Sequence, residues 1–159
     1  MNEYLLTNEI IFDSKPDAVP YNYRISYKMA QICLIIFKSC SSKAGCSLVK
    51  LHIISNALNT KKYMKALEDY VNEKIGFMLV RFDPAVNRAL KYAIADNLII
   101  QLKNGTFKLS GNGKDFVKKI EGEDLLFEEK LFLNRLGLRL TNEKVERLMS
   151  LWRYKNAEN

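Results

Sequence analysis

Few residues in this chain have the types and spacing that chemistry demands. Glu128-Glu129-Lys130 holds an E-x-K triplet of the kind metal-dependent nucleases use. Those enzymes carry the triplet on a strand, with an Asp on a neighbouring strand, whereas here the surrounding apolar spacing predicts a helix. Gly111-Asn112-Gly113-Lys114 is glycine-rich and basic but lacks the spacing of a phosphate-cradling loop. His52 is the one histidine. It has no obvious Ser or Cys to activate and reads as a partly buried helix residue. Cys33, Cys40 and Cys46 are an odd set without the paired spacing of zinc ligands. They read as buried thiols, and no metal or other cofactor is expected. The residue types therefore point away from an enzyme and toward binding.

Charge is the stronger signal. The chain of 159 residues carries a net charge of +7. No acidic residue occurs between Ala18 and Leu67, while Arg24, Lys28, Lys38, Lys43, Lys50, Lys61, Lys62 and Lys65 fall in that stretch. Such a block reads as a positive surface suited to a phosphate backbone. It would equally suit an acidic protein partner, and charge alone does not choose between them. The longest apolar run, 29–37, is too short for a bilayer and contains Gln31. The N-terminus carries Glu3 and Glu9 in place of a basic region, so no signal peptide is expected. A cytoplasmic protein without a membrane partner is the expectation.

These residues must be held by elements, and hydrophobic spacing predicts which. Residues 1–20 form an arm punctuated by Pro16 and Pro20, with a strand-like run over 4–12. Ile25, Met29, Ile32, Cys33, Ile36 and Phe37 nearly encircle a helix over 24–40, which should therefore be central. Ser47 is placed to cap a helix over 48–58, and Thr60 to cap a third that ends at Gly76. Residues 77–83 read as a short strand. Asp83-Pro84 then starts a helix whose buried face is Val86, Ala89, Leu90, Ala93 and Ile94. Asn87, Arg88, Lys91 and Ala95 lie opposite, small and cationic enough to approach a groove.

Two strand-like runs follow that helix, joined by Asn104-Gly105. That dipeptide predicts a type I′ hairpin turn. A helix over 114–120 comes next, with Phe116, Val117 and Ile120 inward. Two more helices are expected after Gly122. The first would be capped by Asp124, with Leu125, Phe132 and Leu136 inward. The second starts at Thr141 and places Val145, Leu148, Met149 and Trp152 on one face. That face could pad the core or bind a partner, and both readings stand at this point.

The order of helices, helix 84–96 and hairpin is that of a winged helix-turn-helix domain. The fold expected is α+β and mainly helical. It comprises an arm over 1–20, a winged-helix domain over 21–121 and a C-terminal helical extension over 122–159. DNA contacts are expected at Arg88, Lys91, Lys103 and Lys108, with Lys61, Lys62 and Lys65 on the third helix as a second group.

The stretches YRISYKMAQICLIIFKSC, FDPAVNRAL, ADNLI, FKLSGNGKDF and LGLRLTNEKVERLMSLW resemble the middle component of three-component ABC ATPase systems. The small subunit of Lamassu-type anti-phage defence belongs to that group. The resemblance covers roughly residues 24–152 and lies in fold patterns rather than catalytic motifs. It implies a non-catalytic accessory subunit on an SMC/Rad50-like ATPase, beside an effector such as a nuclease. The role is similar to that of the kite subunits of bacterial SMC complexes, which usually carry tandem winged helices. Only one is visible here. A free winged-helix DNA-binding transcriptional regulator is the alternative.

Overall fold

A computed structural model describes residues 24–157, with side chains as far as Arg153. The expected arm over 1–20 lies outside the described residues. The elements run α1 (Ile25–Ser39), α2 (Leu48–Ala57), α3 (Lys61–Val71), α4 (Pro84–Ala95), β1 (Ile99–Gln101) and β2 (Phe107–Leu109). They continue as α5 (Gly111–Glu121), α6 (Phe127–Leu136) and α7 (Asn142–Ala157). The described chain is mainly helical with one small sheet, as the α+β expectation had it.

α1 is the axis of the molecule. Ile32, Cys33, Leu34 and Ile35 are all buried. Four consecutive positions complete a helical turn, so mid-helix no face remains for solvent. α4, α6, α2 and α5 surround it. Phe37 departs from the expected inward set, because its side chain is 48% exposed near the helix end.

Caps set several helix starts. Ser47 Oγ accepts the Lys50 amide at 3.2 Å, and Thr60 Oγ1 accepts the Tyr63 amide at 3.1 Å. Asp83 Oδ1 accepts the Ala85 amide at 2.9 Å, with Pro84 at the first helical position. Such caps each contribute about 1 kcal/mol. Ser110 Oγ accepts the Gly113 amide at 3.0 Å and starts α5.

Four local expectations are corrected. α3 stops at Val71 rather than Gly76, because Glu73 adopts a left-handed φ of 60° and turns the chain early. Residues 77–83 take no regular secondary structure and pair with no strand. Their alternating burial, with Met78 inward and Leu79 outward, packs against helices rather than a neighbouring strand. The α6 cap is Leu126 at φ 56°, not Asp124, and Leu125 lies outside at 49% exposure.

The hairpin turn is the fourth. Gly105 has φ 84°, whereas Asn104 has no positive φ, so a type I′ turn is excluded. The Gly105 amide donates to Leu102 O at 2.9 Å and the Leu102 amide to Thr106 O at 2.8 Å. This is a three-residue loop, a type I turn closed by a left-handed glycine. Asn104 Oδ1 accepts the Thr106 amide at 3.1 Å, which uses the Asn side chain in place of a positive φ. β1 and β2 pair antiparallel with Ile100 opposite Lys108. A single bridge adds Cys46, exchanging hydrogen bonds with Phe107 at 2.7 and 2.8 Å.

The helices after Gly122 close the same core as those before it. Phe132, Leu133, Leu136, Leu140, Val145 and Leu148 join Ile32 and Leu90 in one hydrophobic cluster. Tyr70 donates its hydroxyl to Lys144 O at 2.6 Å, and Lys144 Nζ donates to Val71 O at 2.7 Å, binding α7 to α3.

Candidate nucleic-acid and partner interface

The outward face of α4 follows from its stripe. Val86, Ala89, Leu90 and Ala93 are buried, which turns Asn87, Arg88 and Lys91 to solvent. Tyr92 joins that exposed side. The turn after α4 leads directly into β1, so the hairpin sits at the helix's C-terminal end. Lys103 is exposed in the hairpin loop. Lys108 is half-buried on β2 and lines a cavity with Phe37, Cys40 and Lys114. Among the described residues, none of Arg88, Lys91, Lys103 and Lys108 makes an ion pair with a carboxylate. Unpaired cations keep their full charge for a phosphate.

The α3 lysines differ. Lys61 faces Glu128 at 3.4 Å and Lys65 faces Asp69 at 2.9 Å, and Lys62 is exposed without such a pair. Lys61 and Lys65 line a groove against α6 with Met64, Leu131 and Arg135. Arg135 is itself engaged by Glu68 at 2.8 Å. These surface pairs are weak and screened, yet each of the groove's three cations has a carboxylate partner, which leaves little net charge for a phosphate. Two further members of the basic block leave the surface altogether. Lys28 and Lys50 are buried, so the acid-free stretch is less of a face than its composition suggests.

The α7 set divides. Val145 and Leu148 are in the core and offer nothing to a partner. Met149 and Trp152 are half-buried along a cleft with Phe82 and Val80. Trp152 meets Phe82 edge-on at 6.4 Å between ring centroids.

Beneath α4 lies a polar cluster that sequence reasoning missed. Lys28 Nζ donates to Gln31 Oε1 and to Ser55 Oγ, both at 3.1 Å, and sits 3.8 Å from Asp83 Oδ2. Ser55 Oγ also donates to Gln31 Oε1 at 3.3 Å. His52 Nδ1 accepts the Asp83 amide at 3.3 Å, so Nε2 carries the proton and donates to Asn87 Oδ1 at 3.2 Å. Burial pushes Lys28 below its usual range, opposed by the charge and hydrogen bond of Asp83. Burial likewise lowers His52, against its bond to Asn87 and the Asp83 charge. The cluster ties α1 and α2 to the first turn of α4 and so fixes how the exposed face is aimed. One signal was available: Lys28 and Gln31 are three residues apart inside an otherwise apolar helix.

Glu128 and Lys130 lie on α6, as expected of a helix. Lys130 Nζ donates to Ile120 O at 2.5 Å and Glu123 O at 2.7 Å, which closes the end of α5. Among the described residues no three His, Cys, Asp or Glu side chains gather as a metal would need, and no helix is long and apolar enough to cross a membrane. No protein-family model, no curated protein and no solved structure matches the chain.

Proposed function

We propose that this chain is a non-catalytic winged-helix accessory subunit. It binds an SMC/Rad50-like ABC ATPase in a cytoplasmic anti-phage defence complex, beside an effector such as a nuclease, and helps hold double-stranded DNA. The observation that carries the DNA part is the set of four unpaired cations on α4 and the hairpin. Support for the winged-helix reading comes from the α4–β1–β2 order and from the Cys46 bridge. That bridge lies between α1 and α2, where a winged-helix domain carries a short strand against its wing. The ATPase part rests on the family resemblance and on exposed Met149 and Trp152 edges along α7.

Purification of the tagged chain from its native host tests the assembly. Co-elution with a long coiled-coil ATPase supports the subunit reading. Elution alone as a dimer that binds one duplex sequence would support a transcriptional regulator instead. For DNA, changing Arg88, Lys91, Lys103 and Lys108 to Glu should weaken duplex binding by the complex. Each lost phosphate contact should lower the log–log salt slope by about 0.9. An unchanged slope would remove DNA from this face.

A further inference from the structure

A cavity of about 500 Å³ lies between the α2–α3 turn and the segment that leads into α4. Its wall includes Asn56 and Asn59 from the end of α2 and the turn after it, Thr60 and Tyr63 from the start of α3, and Arg81 and Asp83 from the approach to α4. Asn56 is only 7% exposed, yet among the described residues its side-chain amide has no hydrogen-bond partner. Asn59 Oδ1 is buried and likewise without a partner. An unpaired buried amide is costly, so two on one wall call for something in the cavity to bond. Arg81 is exposed and has no carboxylate partner among the described residues. Asp83 is already engaged, with Oδ1 accepting the Ala85 amide and Oδ2 at 3.8 Å from Lys28 Nζ.

We propose that this cavity binds a free adenine nucleotide, with the base at the Asn56 amide and the phosphate at Arg81. The volume falls in the range of small-molecule sites. A wall of amides, a hydroxyl and a cation disfavours a wholly apolar occupant, which would strip them of water and return no bonds. An amide side chain presents a donor beside an acceptor. Adenine presents the complement, an amino group beside a ring nitrogen, and asparagine reads it through both. Tyr63, half-buried, supplies an aromatic ring on which a base can stack. The Arg81 guanidinium suits a phosphate, to which it can donate two parallel hydrogen bonds. The first turn of α3, an 11-residue helix, brings the positive end of its dipole to the same wall.

Simpler occupants meet only part of this wall. Ordered water would satisfy the amides and leave Arg81 unused. Inorganic phosphate would use Arg81 and leave the amides unpaired. A nucleotide meets both demands at once. The cavity contains none of the four cations on α4 and the hairpin, and neither Met149 nor Trp152 lines it. An occupant would rest against Asp83 and Pro84, at the start of α4, but the inference does not depend on what α4 binds.

Calorimetric titration of the full chain tests this. The probes are the adenosine, guanosine, cytidine and uridine monophosphates, adenosine, inorganic phosphate and a short single-stranded oligodeoxyadenylate. Adenosine monophosphate should bind saturably, one to one, and more tightly than every other probe. Adenosine should bind roughly tenfold or more weakly, as the loss of a charged hydrogen bond implies. Arg81→Ala, at an exposed position, should bring the monophosphate down to the affinity of adenosine and leave adenosine itself unchanged. Asn56→Ala should weaken both by roughly tenfold. Asn56 is buried, so Arg81→Ala keeps the test decisive if that variant fails to fold. No saturable binding of adenosine monophosphate would overturn the proposal and leave the cavity to water. So would equal binding of another monophosphate, inorganic phosphate as tight as the nucleotide, tighter binding of the oligonucleotide, or an Arg81→Ala variant with full affinity.

Discussion

Lys28 is the residue on which most depends locally. It brings a charge into a site where an unpaired cation is costly, and Gln31, Ser55 and Asp83 make that tolerable. Removing the amine leaves the Asp83 carboxylate without its buried cation and Gln31 Oε1 with Ser55 alone. Lys28→Ala should lower unfolding free energy by about 3 kcal/mol, read from urea curves. His52 makes a separate, signed prediction. Its folded imidazole titrates below the ~6.5 of an unfolded chain. The unfolded state therefore takes a proton first, and stability falls as pH drops through that value, levelling once the folded ring also protonates. Its share of the slope is at most about 1.4 kcal/mol per pH unit. His52→Gln should flatten the curve of stability against pH where it falls below the ~6.5 of the unfolded imidazole. An equal slope in the variant would mean that another group titrates there.

At the scale of elements, two glycines two residues apart make contrasting demands. A Cβ on Gly113 would come 2.0 Å from Leu98 O, whereas one on Gly111 would meet nothing within 4 Å. Gly113→Ala must push α5 off the start of β1. It should lower the melting temperature by several degrees, as a loss of about 1–3 kcal/mol would. Gly111→Ala should be neutral or slightly stabilising, since alanine suits a first helical turn. Equal effects would mean that α5 tolerates displacement. Element starts were legible where one side chain does the work. Ser47, Thr60 and Asp83 each accept the amide that their residue type predicts. What was not legible depends on neighbours distant in sequence. The alternation over 77–83 looks like a strand, but only the packing partner decides whether it pairs, and here α2 and α7 take that place. Asn104-Gly105 predicted a hairpin correctly and its turn type wrongly, because the Thr106 contact satisfies Asn104 without a left-handed backbone. The candidate DNA face was legible as four cations, but the cluster aiming it was not, since Lys28 and His52 looked like a flank and a lone histidine.

For the whole molecule, one core runs from α1 to α7. Val145 and Leu148 are as buried as the residues of α4 they accompany. A detachable partner helix and a core helix predict opposite behaviour on truncation, and the burial of Val145 and Leu148 favours the core helix. Deleting residues 141–159 should destabilise the rest, uncovering Tyr70 and Ile53, and should increase binding of a hydrophobic dye. A truncated protein with an unchanged melting temperature would argue for detachment. Finer variants separate packing from assembly: Leu148→Ala should cost about 2–5 kcal/mol. Met149→Ala, half-exposed at the cleft edge, should cost less while testing contact with a partner.

The central position of α1 has a consequence for how the protein is made. Synthesis delivers α1 before the α4 and α6 surfaces that cover it. Until they emerge, Ile32, Leu34 and Ile35 have no native neighbours on those sides. Contacts this distant along the chain close late and slowly. Nascent chains arrested after α5 should be digested quickly by protease and held by chaperones. Chains arrested with α7 clear of the ribosome should resist digestion. An order of synthesis that delivers a central apolar helix ahead of the helices that cover it makes the cell's folding machinery an early contact.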